Sequence, residues 1–230
     1  MVNVYNILIG QDDCPHTLIT SHVPGLIIYV MNTSDEANSY QKTFSIFISK
    51  NKEDLRIALD ELKNYPNIKD LDLLGRKENM MSLIYSFPKT SAFRNVRKIG
   101  FRMHPVVIRN GQENWFFVTD VNDLTSRGKS LLTDHVTRLF TIKRLTTNEF
   151  INAYTKLFNS IWRMKIDSQT GGNGSEIISE ALKAGYYDWP RQSNLSELSK
   201  SINVPRTTLT YKIRKLEKKV FSELEESDVK

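Results

Sequence analysis

The amino-acid sequence predicts an α+β protein with a mixed α/β domain over residues 1–145 and an all-α domain over residues 176–230. Three observations lead there. The first 145 residues hold strand-length, β-rich runs with helical segments between them. In the last 55 or so, apolar residues recur at spacings of three and four within each half of Leu195–Leu216, as helices require. Between them lies SQTGGNGS, residues 168–175, the stretch with the most flexible composition in the chain and the expected linker.

The N-terminal strands come first. Val2–Ile9 is β-rich and partly alternating, and Leu26–Met31 is a continuous apolar run after Pro24-Gly25. Thr43–Ile48 places Phe44, Ile46 and Ile48 on one face, with Phe47 on the other. Residues 51–64 read as a helix. Asn51 is suited to cap it, Glu53 and Asp54 favour its start, and Leu55, Leu59 and Leu62 form the buried stripe before Pro66. Ile68–Leu74 and Met80–Phe87 are two more strands, so this section begins like a ferredoxin-like split βαβ unit. Thr90–Lys98 has too few large apolar residues, Phe93 and Val96, to fix a helix. Met103–Ile108 and Trp115–Thr119 flank Asn110-Gly111, a turn signal within a loop expected to exceed two residues. Asp123–His135 is a helix anchored by Leu124, Leu131 and Leu132, and Arg138–Leu145 returns as a strand.

Residues 146–167 are expected to form a connecting helix. Thr146 and Glu149 have capping-box spacing, and Phe150, Ile151, Tyr154, Leu157, Phe158, Ile161 and Trp162 recur at helical intervals. That aromatic face either packs on the preceding domain or joins two copies in a homodimer. Ser175–Ala184 is a helix stopped by Gly185, and GYYDWPR follows.

Leu195–Leu216 then reads as two short helices around a tight turn. Asn194 and Glu197 form a capping box, Asn203 tolerates the left-handed conformation of a helix stop, and Pro205 sits at the start of the second helix. This is the helix-turn-helix plan, in which the N-terminal residues of the second helix read bases in the major groove. Such a pair can also only pack a bundle, and charge decides between the readings. The chain carries +6, and Pro205–Lys219 holds six basic residues against Glu217 alone. The excess therefore sits on the helix that the motif assigns to the groove, as a phosphate footprint requires.

Within this motif Arg206, Thr207, Thr208 and Tyr211 are expected to face base edges or the groove wall, with Arg206 suited to bidentate guanine contact. Thr210, Lys212, Arg214 and Lys215 are expected at phosphates or in solvent, and Ser196 and Gln192 approach the backbone from the first helix. The other reading of Tyr211 packs it on the GYYD aromatics, and Lys218 and Lys219 read as solvated.

Glu180–Val220 resembles the archaeal helix-turn-helix regulators of the bacterio-opsin-activator type. The resemblance rests on an alanine-containing helix ending in GYYD, the Pro190-Arg191 pair, the helix LSEL, and a Thr-Leu recognition helix with a basic run. It implies a DNA-binding transcriptional regulator whose variable N-terminal region senses or assembles. Three positions depart from the pattern. Ser199 stands where such motifs prefer Ala, Asn203 where they prefer Gly, and Pro205 replaces a Ser or Thr cap worth about 1 kcal/mol.

Other chemistry is sparse. The single cysteine, Cys14, excludes an internal disulfide and fits a reducing, cytoplasmic setting. Asp12, Asp13, Cys14, His16 and His22 form the only cluster of metal-ligand residue types, with Cys14, His16 and His22 as the candidate ligands. Cys-x-His is not a zinc spacing, so no metal is expected and the segment reads as a surface loop with a structural cysteine, the alternative being a single-thiol redox sensor or a metal-sensing loop. No apolar run approaches the length of a membrane span, and no signal peptide is expected. No phosphate-binding loop, dinucleotide fingerprint or hydrolase motif is present, so neither a cofactor nor an enzyme activity is expected. The expected partners are double-stranded DNA, a second copy of the chain and an unidentified small-molecule effector. Two rival readings are an N-terminal enzyme tethered to DNA and an architectural protein with little sequence preference.

Overall fold

The computed structural model describes residues 2–36, 39–77, 79–170 and 174–226, and side chains of residues 162, 164–170, 220 and 223–226 lie outside that description. The chain divides into two units, Met1–Tyr154 and Thr155–Lys230.

The first unit is built on an eight-stranded sheet. Its elements are β1 (Asn3–Gln11), α1 (Pro15–His22), β2 (Ile27–Asp35), β3 (Tyr40–Ile48), α2 (Lys52–Asn64), β4 (Lys69–Lys77) and β5 (Met80–Pro88). They continue with α3 (Ser91–Val96), β6 (Phe101–Arg109), β7 (Gln112–Thr119), α4 (Leu124–Leu132) and β8 (Thr137–Leu145). The strand order is β4-β5-β3-β2-β6-β7-β1-β8, and each neighbouring pair is antiparallel.

That order resolves into two equivalent halves. In the first, hairpin β2-β3 leads through α2 to β4, and β5 returns between β3 and β4. This is the split arrangement expected from the sequence. In the second, hairpin β6-β7 leads through α4 to β8, and the slot between β7 and β8 is filled by β1 from the start of the chain. The halves meet about a pseudo-twofold axis where β2 pairs with β6 through Ile28↔Ile108, Tyr29↔Val107 and Val30↔Val106. Under this symmetry Gln41 and Glu113 are counterparts. Each is the second residue of its strand, and each stands opposite an apolar residue of the inserted strand, Phe87 or Ile9.

Period-two alternation buries Tyr5, Ile7 and Ile9 of β1 with Trp115 and Phe117 of β7 in one core, which Leu55, Ala58 and Leu62 of α2 join. Asn51 caps α2 by accepting from the Glu53 N–H. On the other face of β7, Phe116 packs edge-on against Phe150 and Tyr154 of helix α5 (Thr147–Thr170). The start of that helix therefore packs on the sheet, and the capping box at Thr146 and Glu149 is formed.

Three local expectations are corrected. Residues 14–22 are not a surface loop. They form α1, whose buried Thr17 and Thr20 are tolerated because their hydroxyls donate to the carbonyls of Cys14 and His16. The connection at Asn110-Gly111 is only two residues long, since Arg109 pairs with Gln112. Both turn residues have positive φ, 49° and 71°, as a hairpin turn matched to strand twist requires. Thr90–Lys98 does contain a helix, α3, because Thr90 caps it at the Phe93 N–H and Phe93 and Val96 are buried.

The second unit contains the rest of α5, then α6 (Gly174–Lys183), α7 (Leu195–Ser201) and α8 (Arg206–Glu226). Helical backbone thus occupies residues 168–170 and 174–175 of the expected linker; its middle, 171–173, and residues 227–230 lie outside the described residues. Ile177, Ala181, Tyr186, Leu198, Leu209, Ile213 and Leu216 form its core. Among the described residues no helix is long and apolar enough to cross a membrane.

Candidate nucleic-acid interface

The helix-turn-helix is fixed at both ends of its first helix. Asn194 accepts from the Ser196 and Glu197 N–H groups at 2.9 and 3.1 Å, and Glu197 accepts from the Asn194 N–H at 3.0 Å. The turn is closed by Asn203, at φ 52°. Ser199 donates its hydroxyl to the Val204 carbonyl at 2.6 Å, and the Val204 N–H reaches the Ser199 carbonyl at 3.1 Å. Ser199 in place of Ala therefore adds a bond that holds the turn. Pro205 precedes α8, and its carbonyl accepts from the Leu209 N–H at 2.9 Å. The absent side-chain cap leaves this first intrahelical bond in place.

From that anchor α8 divides by face. Leu209, Ile213 and Leu216 are buried, whereas Arg206, Thr207, Thr208, Tyr211, Arg214 and Lys215 are exposed. Tyr211 is 66% exposed. The aromatic packing at GYYD is instead made by Tyr186 on Tyr187 and by the Tyr187 hydroxyl donating to Glu217 at 3.1 Å. Thr210 donates its hydroxyl to the Arg206 carbonyl at 2.8 Å, so only its acceptor lone pairs remain for a ligand. Lys212 is half-buried, as is Ser196 on α7, and Gln192 is exposed in the loop ahead of α7.

That loop carries a feature to which the sequence reading assigned no role. The Gln192 N–H bonds the Gly185 carbonyl at 3.0 Å and closes residues 185–192 into a compact turn. Gly185 has φ 66°, and a Cβ there would lie 2.5 Å from the Gln192 Cβ, so this position needs glycine. At the tip Trp189 is 97% exposed. An aromatic ahead of Pro190 in a glycine-closed loop was the available signal.

The three side chains considered for a metal do not come together. Cys14 and His16 are both buried, with Sγ and Nδ1 3.5 Å apart. His22 is on the surface, 3.3 Å from Glu61. Among the described residues no three His, Cys, Asp or Glu side chains are grouped as a metal would need. Burial raises the pKa of the Cys14 thiol, with the charge of Glu113 adding to the shift, which keeps the sulfur protonated and unreactive.

His16 and His104 are both held neutral. Burial, with the charge of Arg102 second, lowers their pKa from 6.5 to about 3 and about 4. The unfolded chain takes up protons below about pH 6.5 that the native protein refuses. Their stabilisation is thus complete above that pH and is lost as pH falls toward 4, by up to about 1.4 kcal/mol per pH unit for each histidine. Denaturant midpoints of the N-terminal unit should drop between pH 7.5 and pH 5, and equal midpoints would contradict the burial of neutral imidazoles.

Residues 174–222 match the family model HTH_10, described as HTH DNA binding domain. Residues 4–136, more than half of the chain, match the family model HVO_2525_N, described as N-terminal. No curated protein and no solved structure matches the chain. The chain belongs to the HVO_2525_N family, and its C-terminal part is a helix-turn-helix DNA-binding domain of the bacterio-opsin-activator type.

Proposed function

We propose that the protein is a non-enzymatic, sequence-specific transcriptional regulator that acts as a homodimer, with α8 in the major groove and the N-terminal unit sensing a ligand. One observation carries the reading. The exposed start of α8 presents Arg206, Thr207, Thr208 and Tyr211, at the head of the segment Pro205–Lys219 that holds six basic residues against Glu217 alone. Arg206 reads guanine, the two threonines reach bases or phosphates, and Thr210, Lys212, Arg214 and Lys215 follow the backbone with Ser196 and Gln192. Dimerisation is supported by Ile151 and Phe158, seven residues apart on α5 and each about half exposed.

Selection of bound duplexes from a random pool tests the reading. A recovered palindrome with half-sites about 34 Å apart supports a dimer with two recognition helices. Salt-dependent binding with no recovered sequence supports an architectural role instead. On the selected duplex Arg206→Ala should lower affinity by about 1–3 kcal/mol, and by less on random duplex. Equal losses on both would remove Arg206 from base reading.

A further inference from the structure

A lone aromatic on a surface needs no explanation, but Trp189 is held out by a built loop. The Asp188 N–H joins that of Gln192 on the Gly185 carbonyl, at 3.2 Å, and Gln192 Nε2 donates to the Pro190 carbonyl at 3.2 Å. The exposed Arg191 has its guanidinium over the Tyr186 ring at 4.8 Å. The Asp188 carboxylate is folded back against Gly185. The tip therefore presents an indole and a guanidinium to solvent, with the nearest acid turned inward. No other large apolar side chain among the described residues is as exposed as this indole.

The position of the loop says what meets it. It joins α6 to α7, the first and second helices of the three-helix unit, and runs into the Asn194 cap. It is also tied to α8, where Tyr187 donates to Glu217. Thr210 and Arg214 lie seven and three residues before Glu217, on the same side of the helix. The loop thus borders the flank of α8 on which Arg214 is exposed. When the third helix of such a unit enters the major groove, as in homeodomains, the loop between the first two helices and the far end of the third lie on the DNA backbone. We propose that Trp189 packs on the sugar–phosphate backbone beside the groove, with its ring against deoxyribose and its Nε1–H donating to a phosphate oxygen. This inference rests on the reading of α8 as the helix in the groove. An indole suits the place, because its ring covers sugar carbons while its N–H finds an acceptor. The contact extends the DNA-binding surface of the domain without reading sequence. Being neutral, it displaces no counterion.

Fluorescence quenching and affinity on the full chain test it. Acrylamide should quench a component of the free protein's emission that Trp189→Phe lacks, and bound duplex should shield that component. Trp189→Ala should weaken binding about tenfold, on selected and on random duplex alike. Its far-ultraviolet circular dichroism and the dependence of its affinity on salt should match those of the unsubstituted chain. Trp189→Phe keeps a ring and loses the N–H, so it should weaken binding by only about threefold. The proposal is overturned if the indole stays open to acrylamide in the complex, which would leave it for a protein partner. It is also overturned if the loss in Trp189→Ala is confined to the selected duplex, or if there is no loss. Arg206→Ala on the same duplex separates two failures. Unchanged affinity in both variants overturns the docking of α8 itself, whereas a weakened Arg206→Ala beside an unchanged Trp189→Ala overturns only the backbone contact.

Discussion

Glu113→Ala should destabilise the N-terminal unit by about 3–5 kcal/mol, a large share of the 5–15 kcal/mol that holds a domain together. The side chain is 2% exposed and accepts from Gln11 Nε2 at 2.7 Å and Trp115 Nε1 at 2.8 Å. It is also the anion facing Arg102, whose side chain is 10% exposed. Truncation strands two neutral donors and a guanidinium in the interior, and each orphaned group retains its full desolvation penalty. Chemical denaturation followed by near-ultraviolet circular dichroism, where Trp115 reports, gives the measurement. Glu113→Gln should fall between the two, because an amide oxygen still accepts but carries no charge for Arg102. A loss below about 1 kcal/mol in Glu113→Ala would show that the donors find other acceptors.

Leu209→Ala should abolish binding to every duplex by unfolding the C-terminal unit. Leu209 is fully buried where α8 meets the core that includes Leu198, Ile213 and Leu216. Truncating such a leucine costs about 2–5 kcal/mol, and a small helical unit has little margin. The outcome differs in kind from that of Arg206→Ala, which leaves the helices intact and weakens chiefly the specific complex. Loss of far-ultraviolet helical signal alongside unchanged near-ultraviolet signal from the N-terminal unit would locate the effect. Retained binding by Leu209→Ala would mean that the recognition helix is held by contacts outside this core.

The helix-turn-helix was legible because its determinants are local. Asn194 and Glu197 cap within one turn, Asn203 stops the helix it follows, and the apolar spacing names the buried face of α8. The strands were legible for the same reason, since period-two burial needs only neighbours. What escaped depends on distant parts of the chain. Helix α1 was read as a loop because Cys14, His16, Thr17 and Thr20 look like surface residues, and only their bonds across the fold show otherwise. His16 meets the Tyr85 hydroxyl, and Thr20 takes the N–H of Gly111. A small polar cavity where the two halves of the sheet meet, lined by Gln11, Gln41, Arg102 and Glu113 among others, was illegible too. Gln41, Arg102 and Glu113 lie on three strands, and no spacing in sequence announces that the pseudo-twofold axis joins them. Trp189 was passed over because GYYDWPR offers no periodicity from which burial could be read, while its exposure follows from the closure of the loop at Gly185.

The placement of β1 between β7 and β8 sets the order in which the protein can be completed during synthesis. Residues 3–11 leave the ribosome before the segments that they pair with, residues 113–119 and 137–145. Until the latter emerge, β1 keeps an open strand edge, the kind of surface on which nascent chains associate. In the first half the inserted strand β5 follows both of its neighbours, β3 and β4, so it can be sealed by residue 88, and only the outer edge of β2 waits for β6. β1 thus precedes in synthesis both strands that seal it, and a chain released before β8 would carry an unsealed β1 as its aggregation hazard.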